Sequence, residues 1–221
     1  MTSSPVTDTR VFDRRAYAIG LASGAFVMTG FGTLWALAAV GILLLPAIEG
    51  LLSFVGVEFA AAVLTISCFA LLRAARRLPQ DISPERRAQS AAVGRGIGRR
   101  FGIIFGIEFV AIALANIICS LLNHSEFAIP LTVLIVGLHF LPLAALFRVW
   151  QYYLTGILLG LIALLTVIIV PVTMTLGQGQ AWDILPALGS SLVLWLTAVS
   201  VLLMGSNVVR SKQKEGQGML Y

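Results

Sequence analysis

Residues 101–122 read FGIIFGIEFVAIALANIICSLL, an apolar block with one ionisable side chain, Glu108, in its interior. A helix needs about 20 such residues to cross ~30 Å of hydrocarbon. A barrel strand would alternate polar and apolar residues and would need only ~10 of them. The unbroken apolarity of this block therefore predicts a membrane-spanning helix.

The rest of the chain repeats this pattern. Of its 221 residues, 58% are hydrophobic and 11% are charged, against roughly 25% charged in a soluble domain. We predict one integral membrane domain over residues 1–221, an all-α bundle of six transmembrane helices. The helices are expected at residues 17–45, 51–72, 101–122, 127–147, 149–176 and 184–208. Basic residues followed by aromatics open helices 1, 3 and 5, which suggests three stacked helical hairpins, although this pattern is generic at membrane interfaces.

The positive charges predict the orientation of these helices. With six spans, all 15 Lys and Arg residues fall on one side of the membrane. The connections on the other side carry Glu49, Glu126 and Asp183, with no Lys or Arg. Because cytoplasmic loops collect basic residues, we expect both termini in the cytoplasm and the protein in a plasma membrane of the bacterial inner-membrane type. The first apolar block is too long for a cleaved signal core, so we expect it to be retained.

Residues 73–100 form the one long polar segment, which we interpret as a cytoplasmic loop. Ser83 can cap a short helix that begins at Pro84 and runs towards Gly94. We expect the arginines of Arg73–Arg100 to contact anionic lipid headgroups, with a regulatory partner as the alternative. The net charge of +5 follows from topology, so no nucleic-acid partner is expected.

Signatures of catalysis, nucleotide binding and metal binding are absent from the sequence. The glycine-rich stretch 94–98 follows no strand and matches no phosphate-binding spacing. Cys68 and Cys119 lie near opposite ends of their helices, about 25 Å apart in depth, which excludes a disulfide within one subunit. We therefore expect no enzymatic activity, no metal and no cofactor.

Three ionisable residues lie within the predicted spans, where they are costly: Glu58, Glu108 and His139. Helix rise places Glu108 and His139 at similar depths, ~12 and ~13 Å from the cytoplasmic helix ends. Because helices 3 and 4 form a hairpin, these two side chains can meet. We then expect a polar track formed by Asn116, Glu58, His139 and Glu108. Thr132 shares the helix face of His139.

This track has a functional and a structural interpretation. In the first, the Glu108 carboxylate favours the charged imidazole of His139 and Glu58 passes charge outward. In the second, a buried hydrogen-bonded pair fixes helix register. Pro142 leaves the carbonyl of Leu138 without its helical donor, which would place a further acceptor beside the imidazole.

Several stretches resemble a family of small multi-pass membrane proteins of prokaryotes. The resemblance is carried by residues 137–143 (GLHFLPL), by Phe147-Arg148, by residues 152–156 (YYLTG) and by residues 98–102 (GRRFG) with Glu108. It covers helices 3 to 5 and implies a six-helix membrane protein without an assigned activity. It also draws attention to Glu108, His139 and Arg148, the last on the inner face.

Together these observations favour a small transporter or ion-permeating protein that acts as a homo-oligomer on an unspecified ion or solute. An accessory or structural membrane subunit is the alternative, and a membrane-embedded enzyme ranks third.

Overall fold

Six long helices dominate the computed structural model, which describes residues 14–43, 46–78 and 84–218. They are α1 (Arg14–Leu43), α2 (Ala47–Arg76), α3 (Pro84–Leu121), α4 (Ala128–Phe147), α5 (Trp150–Ile169) and α6 (Ala181–Gly218). A 3-10 turn, Ser125–Phe127, precedes α4, and two short antiparallel strands, β1 (Thr175–Leu176) and β2 (Gly179–Gln180), join α5 to α6. All six helices are long and apolar enough to cross a membrane, which confirms the predicted all-α six-helix architecture.

Helix α3 corrects the prediction for residues 73–100. These residues do not form one long loop, because α2 continues to Arg76 and α3 already begins at Pro84. The predicted start at Pro84 is confirmed, but the helix runs without a break into the membrane span. No proline follows Pro84 before Leu121, so nothing interrupts the backbone hydrogen bonds. Ser83, the predicted cap, lies outside the described residues.

Helix α5 is shorter than its apolar block. We predicted a helix to residue 176, but α5 ends at Ile169. Val170 is extended, with φ −83° and ψ 125°, as expected for a residue before a proline. Pro171 stops the helix although the following residues remain apolar. The chain then turns through Gly177, whose φ of +60° suits a residue without Cβ.

Four inner helices and two flanking helices make up the bundle. Helix α6 packs against α1, α5 and α4; α1 and α6 share the most extensive interface, followed by α4 and α5. Helix α2 flanks the bundle on α1, and α3 flanks it on α4. The predicted hairpins α1–α2, α3–α4 and α5–α6 all pack as pairs. We call the end of the bundle that carries Arg15, Arg76, Arg100 and Arg148 the basic end, and the opposite end the acidic end.

The inner helices approach closely at glycines. A Cβ on Gly156 of α5 would lie 2.6 Å from the carbonyl oxygen of Gly137 on α4, and a Cβ on Gly137 would lie 2.9 Å from that of Gly156. Small residues allow such backbone contact between membrane helices, where dispersion contacts replace the hydrophobic effect. The core beside this contact includes Val133 and Leu159, both fully buried.

The glycine stripe of α3 behaves differently. The four-residue spacing of Gly98, Gly102 and Gly106 predicts close helix packing. Among the described residues of this chain that expectation is wrong, because a Cβ at any of the three glycines would meet no atom of them within 4 Å. Helix α3 instead exposes a broad apolar surface, including Ile107 at 65% and Val110 at 59%. Such surface suits lipid or a protein neighbour.

We predict opposite effects for alanine at the two kinds of glycine. Gly156→Ala should force α4 and α5 apart and lower the free energy of unfolding by about 1–3 kcal/mol. Gly106→Ala, which gains helix propensity and meets no neighbour, should be neutral or stabilise by up to about 1 kcal/mol. Unfolding of both variants in detergent micelles, followed by circular dichroism, measures the contrast. Equal losses in the two variants would contradict the observed packing.

Candidate functional site: a glutamate–histidine pair between α3 and α4

The face of α3 that packs on α4 carries Glu108. Glu108 lies eight residues from Arg100, and His139 lies eight residues from Phe147, so both sit about 12 Å from the basic end of their helices. Helix α3 packs mainly against α4 and the 3-10 turn before it, and α4 turns His139 towards that contact. The depth prediction from the sequence therefore places the two residues level with each other, and the structure joins them.

The two side chains form a buried contact. Nδ1 of His139 lies 2.8 Å from Oε1 of Glu108, and the side chains are only 10% and 7% exposed. This is ion-pairing distance, but the directions do not meet the geometry of a hydrogen bond, so Nδ1 has no hydrogen-bond partner among the described residues. In the same part of the chain, Oε2 of Glu108 and Nε2 of His139 are likewise buried without a partner. The pair thus keeps unused donor and acceptor positions on both residues.

Aromatic rings surround the imidazole. Phe140 stacks on it with ring centroids 5.2 Å apart, and Phe105 meets it edge-on at 6.2 Å. Phe105 also contacts Phe31 of α1 at 6.3 Å, which links the seam to the inner bundle. In such an apolar setting electrostatic interactions are strong and unmatched polar groups are costly. The aromatic rings therefore form an apolar wall around the pair.

A second polar contact lies on the same seam, towards the acidic end. Nδ2 of Asn116 lies 3.2 Å from the hydroxyl of Thr132 and donates to it. Asn116 also donates to the carbonyl of Ile112, and Thr132 to that of Ala128. Asn116 follows Glu108 by eight residues, so the two contacts are separated by about 12 Å along α3. The α3–α4 seam therefore holds three of the four residues predicted for the polar track, together with Thr132.

Glu58, the fourth, does not join this track. It lies exposed on α2, which packs on α1 and α6 rather than at the α3–α4 seam. The predicted passage of charge through Glu58 therefore lacks a contact within one chain. Depth along a helix can be estimated from sequence, whereas the identity of the neighbouring helix cannot.

Arg148 closes α4 rather than entering the site. Its φ of 55° and ψ of 40° are left-handed, and its backbone N–H donates to the carbonyl of Ala144. The side chain is exposed at the basic end. An arginine in this conformation is uncommon, since a glycine is usual at this position of a helix end.

Sequence reasoning missed a buried polar group between α5 and α6. The hydroxyls of Thr155 and Thr197 lie 2.7 Å apart, and Nε2 of Gln151 lies 3.6 Å from the sulfur of Met204. Gln151 and Thr155 stand four residues apart in an otherwise apolar block, a spacing that could have revealed them. These groups do not titrate near neutral pH, so they stabilise helix packing rather than exchange protons.

A groove opens beside the pair at the basic end of the seam. It has a volume of about 370 Å³ and is lined by Arg100, Ile103, Ile104, Pro142, Ala145 and Leu146. Ile104 lies one turn before Glu108, and Pro142 lies three residues after His139. The groove therefore ends about one helical turn from the pair.

Metal binding and known relatives give no further lead. Among the described residues, no three His, Cys, Asp or Glu side chains are grouped to hold a metal ion. The chain matches no family model, no curated protein and no solved structure. The site must therefore be interpreted from its own geometry.

We predict that the pair is energetically coupled. Each of the substitutions Glu108→Leu and His139→Leu leaves the other polar residue of the pair buried without its partner. Each should therefore lower the free energy of unfolding by about 1–3 kcal/mol. The double variant should lose less than the sum, because no polar group is then left unmatched. Unfolding of the wild type, the two single variants and the double variant in detergent completes this double-mutant cycle.

His124→Leu is the control variant, because His124 also lies 2.8 Å from a glutamate, Glu126, but is 62% exposed. Strictly additive losses at positions 108 and 139 would show that the pair is not coupled.

Proposed function

We propose that the protein is a small transporter that moves protons, or a cation in exchange for protons, across the membrane at the Glu108–His139 pair. One observation carries this proposal: the pair is buried at membrane depth, in contact at 2.8 Å, and retains unpartnered atoms on both side chains. Ionisable residues at such depth are expensive and usually serve substrate or proton pathways.

The chemistry of the pair suits reversible protonation. An imidazole and a carboxylate can each bind and release a proton, and here the two groups lie in contact. Oε2 of Glu108 and Nε2 of His139, which have no hydrogen-bond partner among the described residues, offer positions where a proton can enter or leave.

Protons are a better cargo for this site than bare metal cations. Hard cations such as Ca²⁺ need six to eight oxygen ligands. The described part of the chain groups no three His, Cys, Asp or Glu side chains around the pair. Asn116 and Thr132, on the same seam, add an amide and a hydroxyl that can bind water on the route to the acidic end.

We also propose an orientation of the protein in the membrane and an oligomeric state. Because Lys and Arg collect in cytoplasmic segments, the basic end would face the cytoplasm of a bacterial-type cell, with anionic headgroups around residues 73–100. The open glycine stripe of α3 supports packing against a second copy, which would form a homo-oligomer.

A structural or accessory role is the second candidate. Helix α3 has few contacts besides those with α4, and both polar contacts of the seam, Glu108–His139 and Asn116–Thr132, join these two helices. Polar links of this kind stabilise membrane helix packing. In this role the pair would hold α3 in place without moving any ion.

A flux measurement separates the two roles. Purified protein in liposomes containing a pH-sensitive dye should dissipate an imposed pH gradient, alone or when Na⁺ or K⁺ is supplied. Glu108→Gln and His139→Ala should each reduce this flux at least tenfold, because each removes one of the two exchanging groups. Asn116→Ala, which breaks the other polar contact of the seam, should retain part of the flux.

The control variant is His124→Ala, which removes the exposed histidine of the His124–Glu126 contact. It should leave the flux unchanged. All variants are first checked for monodisperse, folded protein. Absence of flux in the wild type, or unchanged flux in Glu108→Gln and His139→Ala with reduced stability, would favour the structural role.

A further inference from the structure

The groove at the basic end of the α3–α4 seam has the composition of a lipid site. Five of its six lining residues are apolar: Ile103, Ile104, Pro142, Ala145 and Leu146. The sixth is Arg100, at the basic end of the membrane span of α3. The groove thus combines an apolar wall with one positive charge at its edge.

The groove opens to the outside of the bundle. Ile103 is 54% exposed, and Pro142 and Ala145 are also exposed. In a membrane, the surroundings of such a surface are acyl chains. At this end of the seam α3 and α4 are in contact through Phe101 and Phe147, whose ring centroids are 6.0 Å apart. An acyl chain is therefore the molecule available to fill the groove.

Arg100 determines which lipid the groove favours. Within the described part of the chain, its guanidinium pairs with no carboxylate, so its charge is available to a ligand. Guanidinium groups bind phosphate through two parallel hydrogen bonds, and a basic residue at the membrane surface attracts anionic lipid by about 1 kcal/mol. A zwitterionic headgroup provides the phosphate but offsets its charge with an ammonium group.

We propose that this groove binds one anionic phospholipid, with the phosphate on Arg100 and an acyl chain along Ile103, Ile104 and Ala145. The lipid would cover the seam about one turn from Glu108 and His139 and hold α3 against α4, the helix on which α3 mainly packs. This proposal does not depend on ion movement through the pair. It would stand if the protein proved to be a structural subunit.

Lipid titration followed by native mass spectrometry tests the proposal. Delipidated protein in detergent is titrated with phosphatidylglycerol and with phosphatidylcholine of the same acyl chains. The wild type should bind one phosphatidylglycerol in preference to phosphatidylcholine. Arg100→Gln should weaken phosphatidylglycerol binding about fivefold, the equivalent of about 1 kcal/mol, and abolish the preference.

Two matched controls make the test specific. Arg99 is adjacent in sequence but points about 100° away around the helix and does not line the groove, so Arg99→Gln should change binding less than twofold. Ala145→Trp should fill the groove and weaken binding of both lipids, whereas Ala113→Trp, on the exposed surface of α3 away from the groove, should not.

Three results would overturn the proposal. They are equal binding of the two lipids by the wild type, equal losses from Arg99→Gln and Arg100→Gln, and unchanged binding by a folded Ala145→Trp variant. The second of these would indicate diffuse attraction between the basic end and the membrane surface rather than a site.

Discussion

The contact between Glu108 and His139 follows from the cost of placing ionisable groups in a membrane. Neither side chain can remain charged and alone in hydrocarbon, so each needs a partner or must stay neutral. Their burial and 2.8 Å separation meet that need, while the orientation leaves Oε2 and Nε2 unmatched. The contact is therefore strong enough to position α3 yet incompletely satisfied.

Of the two helices that form this contact, α4 is the one held in place by the rest of the bundle. Helix α4 is fixed by its close packing on α5 at Gly137 and Gly156, and α5 is fixed in turn on α6. Helix α3 has no comparable support, since it lies at the edge and packs mainly on α4. The site thus joins a helix with several packing partners to one that packs mainly on a single neighbour.

The features predicted correctly from the sequence are those that depend only on position along the chain. Apolar block length predicted the six spans, and helix rise predicted that Glu108 and His139 lie level. Sequence reasoning failed where neighbours in three dimensions decide the outcome: Glu58 lies at membrane depth but on α2, away from the seam. Two helix boundaries were also wrong for local reasons. The helix predicted to begin at Pro84 was expected to end near Gly94, within a loop, although no helix breaker separates it from the span. The apolar residues after Pro171 were assigned to a helix that the proline ends.

The central claim is that the two side chains meet within a bilayer, and an interatomic distance tests it most directly. Solid-state NMR of protein in liposomes, with ¹⁵N-labelled histidine and ¹³C-labelled glutamate, measures the separation between imidazole Nδ1 and the Glu108 carboxyl carbon. Substitution of His124 removes the second histidine and its contact with Glu126. We predict a separation below about 4 Å, as ion-pairing distance requires. A separation above about 6 Å would contradict the coupling between the two residues on which the proposed function rests.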